Sequence, residues 1–267
     1  MPEYLLNHLH QISNRVKEAD EVLLFLDYDG TLVSFKNRPQ DVVTSDEVKT
    51  VINSLLQNQK YTVIIVTGRT FNEIKQLLDI DRLSFAALHG LQIELSNGKN
   101  YIWKPKDNIR KILENIKKLT EDKFQNEKGI YLEDKELALA FHYRMLAEGK
   151  IQDVLKRFIK IIKTVDTSNC LDILHGAKVV EIRPAGWDKG KAVELIMNKV
   201  AKSKNLLALY IGDDATDEDA FEQIEKQGIT VFVANKTNRS TSAKYWLKDT
   251  DDVFMFLGYL STLKKEV

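Results

Sequence analysis

Short runs of β-branched and leucine residues alternate along the chain with longer stretches whose apolar positions recur at helical spacing. That alternation is the rhythm of a parallel sheet covered by helices. Val22 to Asp27 is a continuous apolar strand ending in an acid. Thr44 and Glu47 have capping-box spacing, and Val48, Val51, Ile52, Leu55 and Leu56 then follow a helical period, which returns the chain for a strand at Tyr61 to Thr67. Phe71 to Leu78 predicts the next helix and Ser84 to Leu88 a third strand. Near the C-terminus, Leu206 to Asp213, Asp217 to Lys226 and Thr230 to Ala234 repeat the order strand, helix, strand. The apolar run Phe254 to Leu260 is too short to cross a bilayer and predicts a helix docked on the core.

Between these halves the rhythm changes. A lysine-rich helix is predicted over Asp107 to Phe124, strands over Ile130 to Glu133 and Leu137 to Tyr143, a helix over Lys150 to Ile162, and strands over Leu171 to Leu174 and Lys178 to Ile182. Helix, two strands, helix, two strands make a compact α+β unit. The expected architecture is therefore a Rossmann-like α/β core with a parallel sheet, built from 1–105 and 184–267 and interrupted by an inserted α+β cap at 106–183.

Composition narrows the class of protein. With 43% hydrophobic and 29% charged residues over 267 positions, the chain has the apolar surface for a real core. Lysine plus arginine equals aspartate plus glutamate at 39 each, so no net field draws it to a nucleic acid or an anionic membrane. The single Cys170 cannot close an intrachain disulfide and suits a reducing compartment, and Met1 to Gln11 lacks the clean apolar stretch of a signal peptide. A cytoplasmic location is expected.

Four segments carry chemistry. In Asp27-Tyr28-Asp29-Gly30-Thr31 a strand delivers two acids to the carboxyl edge of the sheet, where ligands sit in open α/β folds, although solvated acids at a strand exit would read the same way. The strand Leu206 to Ile211 delivers Gly212-Asp213-Asp214 to that edge too. Clustered carboxylates repel one another unless a cation sits among them, and hard oxygen ligands around a phosphate suit Mg²⁺, so Asp213 is expected to bind metal. Asp217, Glu218 and Asp219 read instead as acids at a helix start, favoured there by the dipole. Thr67-Gly68-Arg69 offers a hydroxyl, helix-start N–H groups and a guanidinium for phosphoryl oxygens or a neighbouring acid; a capping threonine with a surface arginine is the plainer alternative. Lys189, in Trp187-Asp188-Lys189-Gly190-Lys191, opens a helix where its charge offsets acids and phosphate. This segment is not a P-loop, because only three residues separate Gly186 from Gly190 and Ala192 stands where the metal-binding Ser or Thr belongs. Neither a dinucleotide fingerprint nor a His-Glu-x-x-His helix occurs.

In chain order, Asp-x-Asp-Gly-Thr, Thr-Gly-Arg, Lys and Gly-Asp-Asp resemble the four motifs of the haloacid dehalogenase superfamily of phosphohydrolases. The resemblance implies that Asp27 attacks phosphorus to form an aspartyl phosphate, that Asp29 protonates the leaving oxygen and then activates water, and that Thr67 and Lys189 hold the phosphoryl group. It also implies Mg²⁺ held by Asp27, the backbone carbonyl of Asp29, and Asp213.

The middle segment is more specific. Glu133-Asp134-Lys135, Leu139-Ala140-Phe141-His142-Tyr143-Arg144, Glu181-Ile182-Arg183-Pro184 and the pair His89-Gly90 are similar, with the core motifs, to the trehalose-6-phosphate phosphatase family over nearly the whole chain. That likeness implies a phosphosugar substrate contacted by Arg69, His89, Glu133, Lys135, Arg144 and Glu181, and a trehalose-6-phosphate synthase as pathway partner. Read on their own, Glu133, Lys135 and Glu181 also fit cross-strand charge pairs, Arg144 a structural clamp and His89 a turn residue. Family members often carry Asn where this chain has Leu88. The basic residues Lys104, Lys106, Arg110, Lys111, Lys117 and Lys118 are expected to be a solvated helix face. Alternatives to a trehalose-phosphate phosphatase are another sugar-phosphate phosphatase, such as one acting on sucrose phosphate, and a non-catalytic phosphosugar-binding regulator.

Overall fold

The computed structural model describes residues 1–267 except 37–40, 105–107, 177, 227, 235–239 and 264–267. In chain order the elements are β1 (Glu3–Tyr4), α1 (Leu9–Glu18), β2 (Glu21–Asp27), α2 (Asp46–Gln57), β3 (Tyr61–Val66), α3 (Phe71–Leu78), β4 (Ser84–Ala87), β5 (Gln92–Glu94) and β6 (Asn100–Ile102). There follow α4 (Ile109–Phe124), β7 (Tyr131–Asp134), β8 (Leu139–His142), α5 (Glu148–Val165), β9 (Leu171–Gly176) and β10 (Val179–Pro184). The chain ends with α6 (Lys189–Val200), β11 (Leu206–Gly212), α7 (Glu218–Ile224), β12 (Ile229–Val233), β13 (Tyr245–Leu247) and α8 (Thr250–Thr262). Two compact units result, one formed by Met1–Ile102 with Asp188–Val267 and the other by Trp103–Trp187. The boundary expected at 105/106, the helix start at Asp107, and Lys106 lie outside the described residues.

The first unit is a nine-stranded sheet in the order β1-β13-β12-β11-β2-β3-β4-β5-β6. Strands from β1 to β4 run parallel, and β5 and β6 turn back antiparallel at one edge. The chain winds outward from β2 through β3 and β4 on one side, and from β11 through β12 and β13 on the other. The carboxyl ends of β2 and β11 therefore form the crevice where loops diverge. All seven residues of β2 are buried, as expected for a central parallel strand with both faces covered. Val22, Leu24, Leu26 and Tyr28 join Ile52, Leu55, Phe256 and Leu260 in one core, which leaves Leu23, Phe25 and Asp27 on the opposite face.

The α/β core expected from the alternating pattern is present, with three departures in detail. β1, α1, β13 and the β5–β6 hairpin were not foreseen; all but α1 are strands of only two or three residues, too short to show a period. The cap of α2 is Ser45 rather than Thr44: the Ser45 hydroxyl accepts from the Val48 N–H, while Thr44 Oγ1 lies 2.6 Å from the Tyr28 hydroxyl. The predicted helix from Asp217 begins instead with a 3-10 turn, Ala215–Asp217, before α7. The C-terminal apolar run does form a helix, burying Val253, Phe256, Leu257 and Leu260 and leaving Phe254 and Met255 exposed.

The second unit is a four-stranded antiparallel sheet, β7-β8-β10-β9, with α4 and α5 on one face. Leu139, Phe141, Val180 and Ile182 point to the helices and pack with Leu113, Ile116, Val154 and Phe158; the Phe141 and Phe158 rings stack at 4.2 Å. Side-chain alternation then puts Tyr131, Glu133, His142, Glu181 and Arg183 on the other face. Trp103 and Trp187, at the two ends of this unit, pack ring against ring at 5.8 Å. Among the described residues no helix is long and apolar enough to cross a membrane.

Candidate active site

Asp27 is the last residue of β2, and the chain turns immediately beyond it. Gly30 takes φ +91, with its N–H bonded to the Val33 carbonyl at 2.7 Å. A side chain there would run into the Asp213 carboxylate and the Phe35 ring, so glycine lets the β2 and β11 loops approach. Thr31 reinforces the approach by donating its hydroxyl to Asp213 Oδ1 at 3.4 Å.

Lys189, at the start of α6, is 2% exposed and donates from Nζ to Asp27 Oδ1 at 2.8 Å and to Asp217 Oδ1 at 2.6 Å. Its helix is held in place by Asp188, whose carboxylate accepts from the Lys191 N–H. Burial would push the ammonium toward neutrality, but the two carboxylates win and raise its pKa, so Lys189 is a fixed cation.

Asp217 corrects the sequence reading. It was expected to decorate a helix start in solvent, and it is fully buried. Besides Lys189, the Tyr210 hydroxyl donates to its Oδ1 at 2.7 Å, and the N–H groups of Asp213 and Asp214 donate to its Oδ2 at 3.0 and 2.9 Å. The physical reason is the 3-10 turn: it folds position 217 back over Gly212, where any side chain would collide with the carboxylate. The signal that could have found it is the spacing Gly-Asp-x-x-x-Asp, which brings the second acid back to the backbone of the first. Glu218, by contrast, ties down a neighbouring loop by accepting from the Ser242 N–H at 2.8 Å.

Ligand atoms of Asp27, Asp213 and Asp217 all lie within 4.8 Å of one another. Burial first, then their mutual repulsion, pushes the carboxyls of Asp27 and Asp213 well above the ordinary carboxylate range, with Lys189 opposing. A hard divalent cation removes that penalty, and an all-carboxylate donor set fits one. Asp217 already accepts four hydrogen bonds, one for each lone-pair site of its carboxylate. Lone-pair capacity for a cation therefore remains on Asp27 and Asp213, each of which accepts a bond on Oδ1, and Asp217 orients the loop that carries Asp213.

Asp29 lies two residues past Asp27 and is gripped by Arg69, whose Nε and Nη2 donate to its two oxygens at 2.7 and 2.6 Å. Arg69 sits over the Tyr28 ring at 5.4 Å and just ahead of α3, whose capping box pairs Thr70 with Glu73. Of the two partners left open for Arg69, the structure thus supplies the neighbouring acid. Thr67 follows β3; its hydroxyl accepts from the Arg69 N–H at 3.2 Å and retains its own proton for an acceptor. His89 (φ 55) follows β4, with its N–H on the Thr67 carbonyl at 2.8 Å and its ring over Gly68. Leu88 is buried and its N–H bonds the Arg69 carbonyl at 3.0 Å, so backbone bonds hold this turn. The first unit therefore gathers Asp27, Asp29, Thr67, Arg69, His89, Lys189 and Asp213 at the carboxyl ends of β2, β3, β4 and β11.

The remaining expected contacts belong to the second unit. Glu133 and Glu181 share a row across β7, β8 and β10, with Ala140 between them. Lys135 Nζ donates to Glu181 Oε2 at 2.9 Å, both residues being more than nine-tenths buried, and Glu133 Oε2 lies 2.8 Å from His142 Nε2. Arg144 lies just beyond β8 and is half-buried.

A family model described as trehalose-phosphatase matches residues 25–251. The chain is 30% identical over 274 residues to trehalose-phosphate phosphatase B of Arabidopsis thaliana, covering 98% of this chain and 71% of that protein. It is also 30% identical over 263 residues to a probable trehalose-phosphate phosphatase C of the same plant, covering 94% and 80%. Among solved structures, the C-terminal domain of C. albicans trehalose-6-phosphate phosphatase superposes with a TM-score of 0.86 at 23% identity, 98% of each chain being covered, which is a likeness of fold. A trehalose-6-phosphate phosphatase related protein superposes with a TM-score of 0.76 at 26% identity, covering 90% and 97%. With a model spanning most of its length and relatives aligned nearly end to end, this chain belongs to the trehalose-phosphatase family.

Proposed function

We propose that this chain is a Mg²⁺-dependent phosphatase that hydrolyses trehalose 6-phosphate to trehalose and phosphate through an aspartyl phosphate on Asp27. The observation that carries the reading is the placement of Asp27: buried at the tip of β2, one oxygen fixed by Lys189 at 2.8 Å, and grouped with Asp213 and Asp217 within 4.8 Å. A structural ion pair needs neither a third acid nor a strand end at the sheet's crevice.

Asp27 Oδ attacks phosphorus as the bond from phosphorus to the sugar oxygen breaks, and Asp29 gives that oxygen its proton. Asp29 then takes a proton from water, which attacks phosphorus and releases phosphate and the free Asp27 carboxylate. Arg69 takes one lone-pair site on each oxygen of Asp29, which leaves the second site of each oxygen for the proton that serves the leaving group. The Thr67 hydroxyl and Lys189 hold phosphoryl oxygens, and Lys189 keeps the nucleophile aimed. Mg²⁺ would be held by Asp27, the Asp29 carbonyl and Asp213; when bound it offsets the repulsion between a carboxylate and a phosphate dianion. The polar face bearing Glu133, Lys135, Glu181 and Arg144 supplies hydroxyl partners for a disaccharide, with Arg69 and His89 as further contacts from the core. The reading includes a cytoplasmic setting, in keeping with the single Cys170, and a synthase that supplies the substrate.

Phosphate release from a panel of sugar phosphates with Mg²⁺ tests this directly. Trehalose 6-phosphate should be strongly preferred, and Asp27→Asn should abolish turnover while leaving the melting transition cooperative. Equal rates on glucose 6-phosphate and sucrose 6-phosphate would remove the substrate assignment, activity retained in D27N would remove the nucleophile, and binding without turnover would favour a non-catalytic regulator.

A further inference from the structure

The polar face of the second unit carries more than charges. Tyr131 opens β7 and pairs in register with His142, the last residue of β8. Their rings lie 5.7 Å apart and 27° from parallel. Tyr131 is nevertheless 61% exposed, so one face of its ring is open to solvent. The imidazole beneath it reaches Glu133 Oε2 from Nε2 at 2.8 Å. Period-two alternation puts Tyr131 and Glu133 on the same side of β7, so Tyr131 and His142 stand one rung from the row Glu133-Ala140-Glu181, whose Glu181 is paired with Lys135.

An exposed aromatic ring stacked on a histidine that fixes a carboxylate is an economical way to hold a pyranose. The C–H bonds on a sugar face are the positive complement of the negative face of an aromatic ring, and the ring-edge hydroxyls donate to a carboxylate. We propose that Tyr131 is a sugar-stacking residue of this face, and that His142 is a positioning residue that presents both the Tyr131 ring and the Glu133 carboxylate to one hexose unit of the substrate. The ligand class is a neutral pyranose, recognised by one apolar face and its equatorial hydroxyls. The inference rests on the trehalose-phosphate reading, because only a substrate with a second sugar gains from an extended carbohydrate face. An ordinary cross-strand aromatic pair would stabilise the sheet and do nothing for substrate choice.

Selectivity separates the two. For wild type, Tyr131→Ala, Tyr131→Phe and His142→Ala, kcat/KM is measured for trehalose 6-phosphate and for a small aryl phosphate, with melting temperatures alongside. The ratio of the two constants should fall about fivefold in Y131A and H142A, mainly through KM for the disaccharide, and Y131F should restore it because the ring and not the hydroxyl does the work. Tyr131→Trp gives a readout independent of turnover: trehalose titrated into it should produce a saturable fluorescence change larger than in wild type. A Y131A ratio equal to that of a wild type that does prefer trehalose 6-phosphate would overturn the stacking role, as would a loss in melting temperature with no change in the ratio. A wild type showing no such preference would overturn the substrate reading itself, and the trehalose titration of Y131W would then decide whether this face binds sugar at all.

Discussion

A buried ammonium between two carboxylates fixes this site at the level of single residues. Lys189 joins Asp27 to Asp217, and Asp217 in turn collects the Tyr210 hydroxyl and two backbone N–H groups from the β11 loop. Removing one partner from such a buried cluster leaves the others uncompensated, which costs about 3–5 kcal/mol. Asp217→Ala is therefore expected to lower stability by that order and to reduce metal affinity or turnover about 10–100-fold, the usual loss for a group that orients a metal ligand. Chemical denaturation and a Mg²⁺ titration check the two halves separately. Wild-type metal affinity in this variant would show that the Asp213 loop holds itself. Asp27, Asp213 and Thr67 at strand ends and Lys189 at a helix start were legible from residue type and position, but the burial of Asp217 was not, since an acid in a polar helix start looks solvated until the 3-10 turn folds it back over Gly212.

At the scale of elements, short-range chemistry explains what was foreseen and what was missed. Long buried strands such as β2 and β3 and amphipathic helices such as α2 and α5 announce themselves by period. Edge strands of two or three residues, β1, β5, β6 and β13, exist because a neighbouring strand offers them hydrogen bonds, and no local pattern reports that. The junction of α4 with β7 carries a testable electrostatic link. Arg110 holds both oxygens of Asp134 at 2.8 and 3.1 Å, and Lys117 and the Glu136 N–H bond it as well. The lysine-rich helix face is thus partly engaged and not wholly solvated. These bonds, with that to Arg110 foremost, hold the Asp134 carboxyl down at about 2. Because the folded value is depressed, the stabilisation is present above the ordinary carboxylate value of 3.8 and is lost as pH falls through about 2. The stability advantage of wild type over Asp134→Asn should therefore shrink as pH drops from about 5 to about 2. Denaturant melts across that range would show it, and a constant difference would mean the ion pair is not felt.

For the whole molecule, the grouped acids of the first unit couple metal, protons and stability. Asp213 titrates above its unfolded value because burial and the neighbouring carboxylates oppose its charge. Without metal this group binds more protons in the native state than in the unfolded chain, so its contribution to stability is most favourable at low pH and falls as pH rises from the ordinary carboxylate range toward the raised value. Added Mg²⁺ reverses the trend, since deprotonated ligands bind it and binding to the native state stabilises by mass action. In chelator, the melting temperature of wild type should fall between about pH 5 and about pH 8 more steeply than that of Asp213→Asn, and the gain from Mg²⁺ should grow over the same interval in wild type. Equal slopes for the two proteins would remove Asp213 from the coupled cluster. The order of strands and helices, and the delivery of acids, hydroxyl and cations to strand ends, were determined by the sequence alone, because periodicity and residue type are local properties. Only the tertiary structure decided that Asp217 is an internal anchor, that Arg69 binds Asp29, and that Tyr131, His142 and Glu133 form one patch, because each of those pairings depends on strand register and loop closure between distant parts of the chain.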